Sequence, residues 1–202
     1  MTFETFLALL ALAAVAAWTP GPNNLMLASS GANFGVRRTL PHICGVAFGF
    51  PIMIFVVAMG LGAIIAASSA LQEVMRWAGA ALLLWFAWRI ATAGRAADQD
   101  RSRPLSFAEA AGFQWINPKA WAMAMATTAQ FVTGSAVLLE SLLCALAYAI
   151  AGLGSSIVWS AFGVWIRRLL STDERLRVFN IVMGLLIASF VFFLFQDDLG
   201  HV

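Results

Sequence analysis

The sequence predicts an all-α integral membrane protein: six transmembrane helices forming two inverted three-helix halves, with the first and fourth spans broken. Three observations carry this expectation. Of 202 residues, 61% are hydrophobic and only 11% are charged. Soluble domains carry roughly a quarter of their residues as charged ones, and a soluble core of this size could not hide so much apolar surface. A hydrocarbon core of about 30 Å needs about 20 apolar residues to cross it, and stretches of that kind run over 3–33, 43–67, 71–93, 107–132, 136–165 and 178–196. The first and the fourth of these are interrupted by polar, proline-containing segments.

The first stretch would measure roughly 45 Å as one straight helix at 1.5 Å per residue, longer than the hydrocarbon core. It is broken at Thr19-Pro20-Gly21-Pro22-Asn23-Asn24 and followed by Arg37 and Arg38. The second starts beside Pro41 and His42 and ends at a short turn near Ser68 and Ser69. The third leads into a charged connector, 94–106. The fourth is broken at Asn117-Pro118-Lys119, and a nearly uncharged turn at Thr133 and Gly134 opens the fifth. The charged segment 167–177 precedes the sixth. The whole chain, 1–202, reads as one transmembrane domain, with half one over about 1–93, a cytoplasmic linker over 94–106, and half two over about 107–196.

Orientation follows from the arginines. Loops one, three and five hold Arg37, Arg38, Arg95, Arg101, Arg103, Arg167, Arg168, Arg175 and Arg177, whereas the opposite face holds only Arg76. Basic loops stay cytoplasmic, so both termini are expected outside. No Lys or Arg precedes the apolar run from Phe3, so a cleavable signal peptide is not expected. The net charge of +2 is small and scattered, which excludes a nucleic-acid partner as the reading. Cys44 and Cys144 have no partner spacing, and neither a cofactor nor a metal is expected.

The chemistry lies at the breaks. Pro20, Pro22 and Pro118 lack N–H donors and leave carbonyls unpaired in a continuous helix. Unpaired carbonyls in lipid cost several kcal/mol each, so the irregular backbone must face protein or a wet cavity. Thr19-Pro20 and Asn117-Pro118 both read as an N-cap followed by proline at the first helical position. Each would start a half-helix whose free N–H groups and positive dipole end suit a carboxylate. Asn23, Asn24 and Asn117 add amides able to recognise both ends of a zwitterion. Pro20 and Pro118 lie 98 positions apart, each in the first span of a three-span half, and paired interruptions of this kind point to a transporter site. The expected substrate-binding residues are therefore Thr19, Pro20, Gly21, Pro22, Asn23, Asn24, Asn117, Pro118 and Lys119.

Lys119 is the only lysine and lies inside an apolar stretch. A charge at that depth costs on the order of 3 kcal/mol, which makes such residues functional candidates. It pairs with a substrate carboxylate, changes protonation during a cycle, or snorkels to an interface. His42 has two readings, a proton relay or a wet headgroup histidine. Gly31/Gly35 and Gly45/Gly49 have the spacing of helix contacts, and the tryptophans that of interface anchors. No acidic residue lies mid-span, so a neutral zwitterion is favoured over a cationic substrate.

The segments Thr19-Pro20-Gly21-Pro22-Asn23, 77–85 (WAGAALLLW), Gly112-Phe113 with Asn117-Pro118-Lys119-Ala120, and Gln130-Phe131-Val132 resemble those of the LysE/RhtB-type amino-acid exporters. Ala129 stands where that family usually has proline. Ser29-Ser30, 87–92 (AWRIAT) and 105–107 (LSF) are most similar to its cysteine and O-acetylserine branch. The resemblance implies efflux of small amino acids across a bacterial inner membrane, linked to the proton-motive force. His42 and Lys119 are the candidate proton carriers that the residues themselves offer. The partners implied are a small amino acid and membrane lipid, with a second copy of the chain left open. Two other classes stand beside this reading. A thiol–disulfide electron carrier would need Cys44 and Cys144 within about 7 Å, and inverted halves put them near opposite faces. A membrane scaffold would not need two polar breaks.

Overall fold

The computed structural model describes residues 1–93, 103–170 and 172–195. Arg95, Arg101 and most of the expected linker lie outside them. Among the described residues the structure is helical throughout, with no strand. The elements are α1 (Phe3–Trp18), α2 (Pro22–Val56), a π-helical turn (Val57–Leu61), α3 (Gly62–Ala66), α4 (Ser69–Ala91), α5 (Phe107–Gln114), α6 (Pro118–Phe131), α7 (Val137–Leu169) and α8 (Asp173–Leu194).

Local chemistry explains most starts. Thr2, Ser68, Ser106 and Thr172 cap α1, α4, α5 and α8 with their side-chain oxygens, as short polar residues do. Ser106 and Glu109 form a reciprocal capping box, which satisfies two otherwise orphaned donors.

Four helical runs are long and apolar enough to cross a membrane by length and composition: Pro22–Ala66, Ser69–Ala91, Val137–Leu169 and Asp173–Phe192. The difference from the six apolar stretches of the sequence has two causes. The proline breaks cut the first and fourth stretches into α1 with the start of α2, and α5 with α6, none of the short pieces being long enough alone. The connection expected around Arg37 and Arg38 is also absent as a loop. Gly35, at φ 75 and ψ 162, reverses the chain by itself, in a region essentially restricted to glycine. The helix resumes at 36, seven residues before the expected start at 43, and Arg37 and Arg38 lie in its first turn. Gly35 is thus a turn and not a helix contact, since nothing lies near the Cβ it lacks.

The contacts give each run its direction. Ser155 Oγ bonds the Ala17 carbonyl and Gly31 packs on the Ser160 backbone, so the broken run from α1 through 22–34 advances in the same direction as α7. His42 bonds back to Ser30, so 36–56 returns against 22–34. Gly45 and Gly49 receive Phe107 to Ala111 of α5, and Gly62 receives Met125 of α6, so α5 and α6 follow the direction of 36–66. Phe86 meets Phe113 edge-on at 5.2 Å, with Gly79 against Ile116, which makes α4 antiparallel to α5. Gly184 of α8 packs on Ala87 and Ala91. Successive runs therefore alternate, and Gly35, Arg103 and the α7–α8 connection gather at one end. Large apolar side chains cover the outside, among them Trp88 at 63% and Leu185 at 65% exposed. Such a surface is soluble in lipid and not in water.

Candidate functional site

The two breaks meet. The Lys119 ammonium, at the start of α6, reaches across to the first break and donates to the carbonyls of Thr19 at 2.5 Å and Pro20 at 3.5 Å. Gly21 makes this approach possible, because a Cβ there would lie 2.8 Å from Lys119 Cδ. Asn23 and Gln114 exchange side-chain amide bonds, Asn23 Nδ2 donating at 2.8 Å and Gln114 Nε2 returning at 3.3 Å. Gln114 is fully buried and also donates to the Ala110 carbonyl at 2.7 Å.

Proline decides the backbone on both sides. At the second break Asn117 is the N-cap of α6, its side chain accepting from the Lys119 N–H at 3.1 Å, with Pro118 at the first position, as expected. At the first break the expected cap moves. Thr19 closes α1 in an extended conformation, and Gly21, also extended, is the N-cap of α2 with Pro22 at the first position. The residue before a proline is pushed to extended backbone, so Thr19 and Gly21 are both excluded from helix and the start shifts by two residues. The result is still two half-helix N-termini at one place, with α2 leaving toward Gly35 and α6 toward Val132. Their first-turn N–H groups lack intrahelical acceptors, and both positive dipole ends point into the break.

The freed carbonyls are not open. Ala17 O accepts from Asn24 Nδ2 at 3.0 Å and from Ser155 Oγ at 2.7 Å, and Thr19 O accepts from Asn24 as well as Lys119. A buried backbone polar group must find a partner, and these side chains supply it. Lys119 is therefore turned toward the first break. Its ammonium occupies carbonyls that were expected to suit a substrate ammonium. The cavity between the breaks is about 60 Å³, lined by Gly21, Asn23, Asn117, Lys119, Tyr148 and Ser156 among others. That is well below the roughly 300 Å³ at which small-molecule sites begin, so the breaks leave no room for an amino acid in this conformation.

Sequence reasoning missed Gln114, Ser155 and Ser156. Their signal was neutral polarity inside otherwise apolar stretches. It also missed Asn180 of α8, which exchanges amide bonds with Asn33 at 2.7 and 2.9 Å and donates to the Ala93 carbonyl at 3.2 Å. His42 is not a wet surface histidine. It is fully buried, with Nδ1 3.0 Å from Ser30 Oγ. It lies away from the breaks, on a second cavity of about 320 Å³ near the Gly35 end. At that cavity's rim Arg103 grips Glu109 through two bonds of 2.6 and 2.9 Å, and Arg89 lies 3.8 Å from the same carboxylate. The hydrogen bond to Glu109 raises the Arg103 guanidinium further above its ordinary pKa, so it is always cationic. Cys44 and Cys144 are both free thiols.

A helical membrane protein in which two broken runs aim half-helix N-termini at one polar point has the architecture of a secondary transporter. The chain belongs to the LysE type translocator family, whose model matches residues 14–197. It is similar to proteins named cysteine/O-acetylserine efflux protein from Escherichia coli (strain K12), Shigella flexneri serotype 5b (strain 8401) and Shigella sonnei (strain Ss046). Each is 29% identical over 174 residues, covering 86% of this chain and 88% of the relative. No solved structure matches the chain.

Proposed function

We propose that this protein exports small neutral amino acids, of the cysteine and O-acetylserine kind, across a bacterial inner membrane by alternating access, without chemical change to the substrate. The observation that carries this is the bond from Lys119 to the carbonyls of Thr19 and Pro20, which joins the two breaks. Substrate enters by exchange. Its ammonium replaces that of Lys119 on these carbonyls, and the released lysine pairs with its carboxylate beside the two half-helix N-termini. Thr19, Pro20, Gly21, Pro22, Asn23, Asn24, Asn117, Pro118 and Lys119 form the substrate site, and Gln114 joins them as the partner of Asn23. Lys119 and His42 are the groups whose protonation couples transport to a proton gradient. The relatives' printed names support the substrate class.

The test is efflux from proteoliposomes loaded with O-acetylserine, cysteine, threonine, leucine or lysine, with and without a pH gradient. Faster efflux of the first two under a gradient is the expected result. Movement of lysine alone would overturn the substrate class and leave the fold untouched.

We also propose six membrane crossings, in two inverted halves, with both termini periplasmic. The alternating direction of the runs and the gathering of Arg37, Arg38, Arg103, Arg167 and Arg168 toward one end support this. A reporter active only in the periplasm should work when fused after Val202 and fail when fused after Arg101, and the opposite pattern would overturn the orientation.

A further inference from the structure

The cavity at the Gly35 end has no role in the chemistry of the breaks. It measures about 320 Å³ and is lined by Ser29, Ser30, Asn33, His42, Arg89 and Arg103 among others. The break cavity is about 60 Å³. Small-molecule sites begin near about 300 Å³, so of these two cavities the Gly35-end one has ligand size in this conformation.

One residue that lines it carries a polar atom without a partner. His42 is fully buried and lines the cavity, and its Nδ1 is taken by Ser30 Oγ at 3.0 Å. Its Nε2 has no hydrogen-bond partner among the described residues. An unsatisfied buried nitrogen is costly, and natural interiors rarely leave one without a reason. Proton coupling and the bond to Ser30 engage the ring but leave Nε2 unsatisfied, and a polar occupant of the cavity would supply its partner. The charges at the rim give the occupant its sign. Two guanidinium groups, Arg89 and Arg103, share the single carboxylate of Glu109, which leaves one positive charge at the mouth to draw in a carboxylate. The side-chain oxygens of Ser29, Ser30 and Asn33 supply acceptors for an ammonium.

We propose that this cavity is a loading site, in which an amino-acid zwitterion binds to His42 Nε2 with its carboxylate toward the Arg89–Arg103 rim, before the breaks open to receive it. The site rests on the exporter reading and adds to it a second binding position and a contact residue. Met26 and Phe86 line the cavity and are buried together with Phe113 in one apolar cluster, Phe113 being next in sequence to Gln114 of the break. Passage between the two sites therefore requires these side chains to part.

The test uses a cysteine reporter at the cavity wall. Thr92→Cys, in a chain with Cys44→Ser and Cys144→Ser, is purified into nanodiscs. Its maleimide labelling rate is measured against rising O-acetylserine, threonine, leucine and lysine, while efflux is measured in parallel in proteoliposomes. O-acetylserine is expected to slow labelling several-fold. His42→Ala should raise the half-protecting concentration about tenfold, as loss of one hydrogen bond to a charged group does, and His42→Gln should recover part of it. Unprotected labelling alongside normal O-acetylserine efflux overturns the loading site and leaves the exporter reading intact. Protection that is the same in His42→Ala also overturns it. If O-acetylserine is neither moved nor protective, but another compound protects in a His42-dependent way, the substrate assignment fails and the site stands. Absence of protection by every compound overturns the site whatever the efflux.

Discussion

Lys119→Ala is expected to lower amino-acid efflux ten- to a hundredfold while the protein still inserts and folds. The lysine holds the carbonyls of Thr19 and Pro20 and, in the exchange proposed above, meets the substrate carboxylate once displaced. Loss of one interaction with a charged group weakens recognition by about 1.5–3 kcal/mol, which is that range of affinity. Folding should survive because Thr19 O keeps its bond from Asn24 and Ala17 O keeps two donors. The measurement is efflux from proteoliposomes containing equal amounts of parent and variant, with the melting temperature as the control for folding. A variant that melts with the parent and exports as fast would show that the meeting of the breaks is structural only.

Gly163→Ala is expected to lower the melting temperature by several degrees, although alanine is the better helix former. The methyl group would collide with the Ala28 carbonyl and lie 2.9 Å from Ala32 N. Both belong to the backbone of α2, so no side-chain rotation relieves the clash. Overpacking of this kind costs typically 1–3 kcal/mol, which at roughly 2–4 °C per kcal/mol for a chain of this size outweighs the gain of about 1 kcal/mol in helix propensity. Gly154→Ala supplies the opposite sign. It is on the same helix, and nothing lies within 4 Å of its missing Cβ, so propensity acts alone and stability should hold or rise. Equal melting of the two variants would contradict the close approach of α2 and α7. The same contact predicts that Gly163→Ala reduces export only in proportion to the folded protein lost.

The solvent and the breaks were legible in the chain itself. Apolar length is a property of a continuous segment, so residence in a bilayer needs no knowledge of partners. A proline's missing N–H is likewise local, which is why both interruptions fall beside the expected prolines, at 19–21 within the expected 19–24 and at 115–117 where 117–119 was expected. The position of Asn117 as a cap follows from its neighbour Pro118 alone. At the first break two prolines compete, and the extended backbone forced on Thr19 and Gly21 moved the cap from Thr19 to Gly21. The turn at Gly35 was hidden for another reason. One glycine at positive φ replaces a loop, and small-residue spacing reads the same for a contact as for a turn.

What only the tertiary structure decided is which polar groups satisfy one another. Asn23 finds Gln114 from 91 positions away, Lys119 finds Thr19 from 100, and Asn33 finds Asn180 from 147. A side chain inside a membrane protein bonds to whatever donor or acceptor the packing brings within about 3 Å, and no local pattern records that partner. Composition and proline placement determined that this chain spans a membrane and carries two polar interruptions. Helix packing determined that the interruptions meet, that Lys119 fills the carbonyls between them, and that His42 lines a cavity with one ring nitrogen unpartnered, because these are consequences of distance in space between residues far apart in sequence.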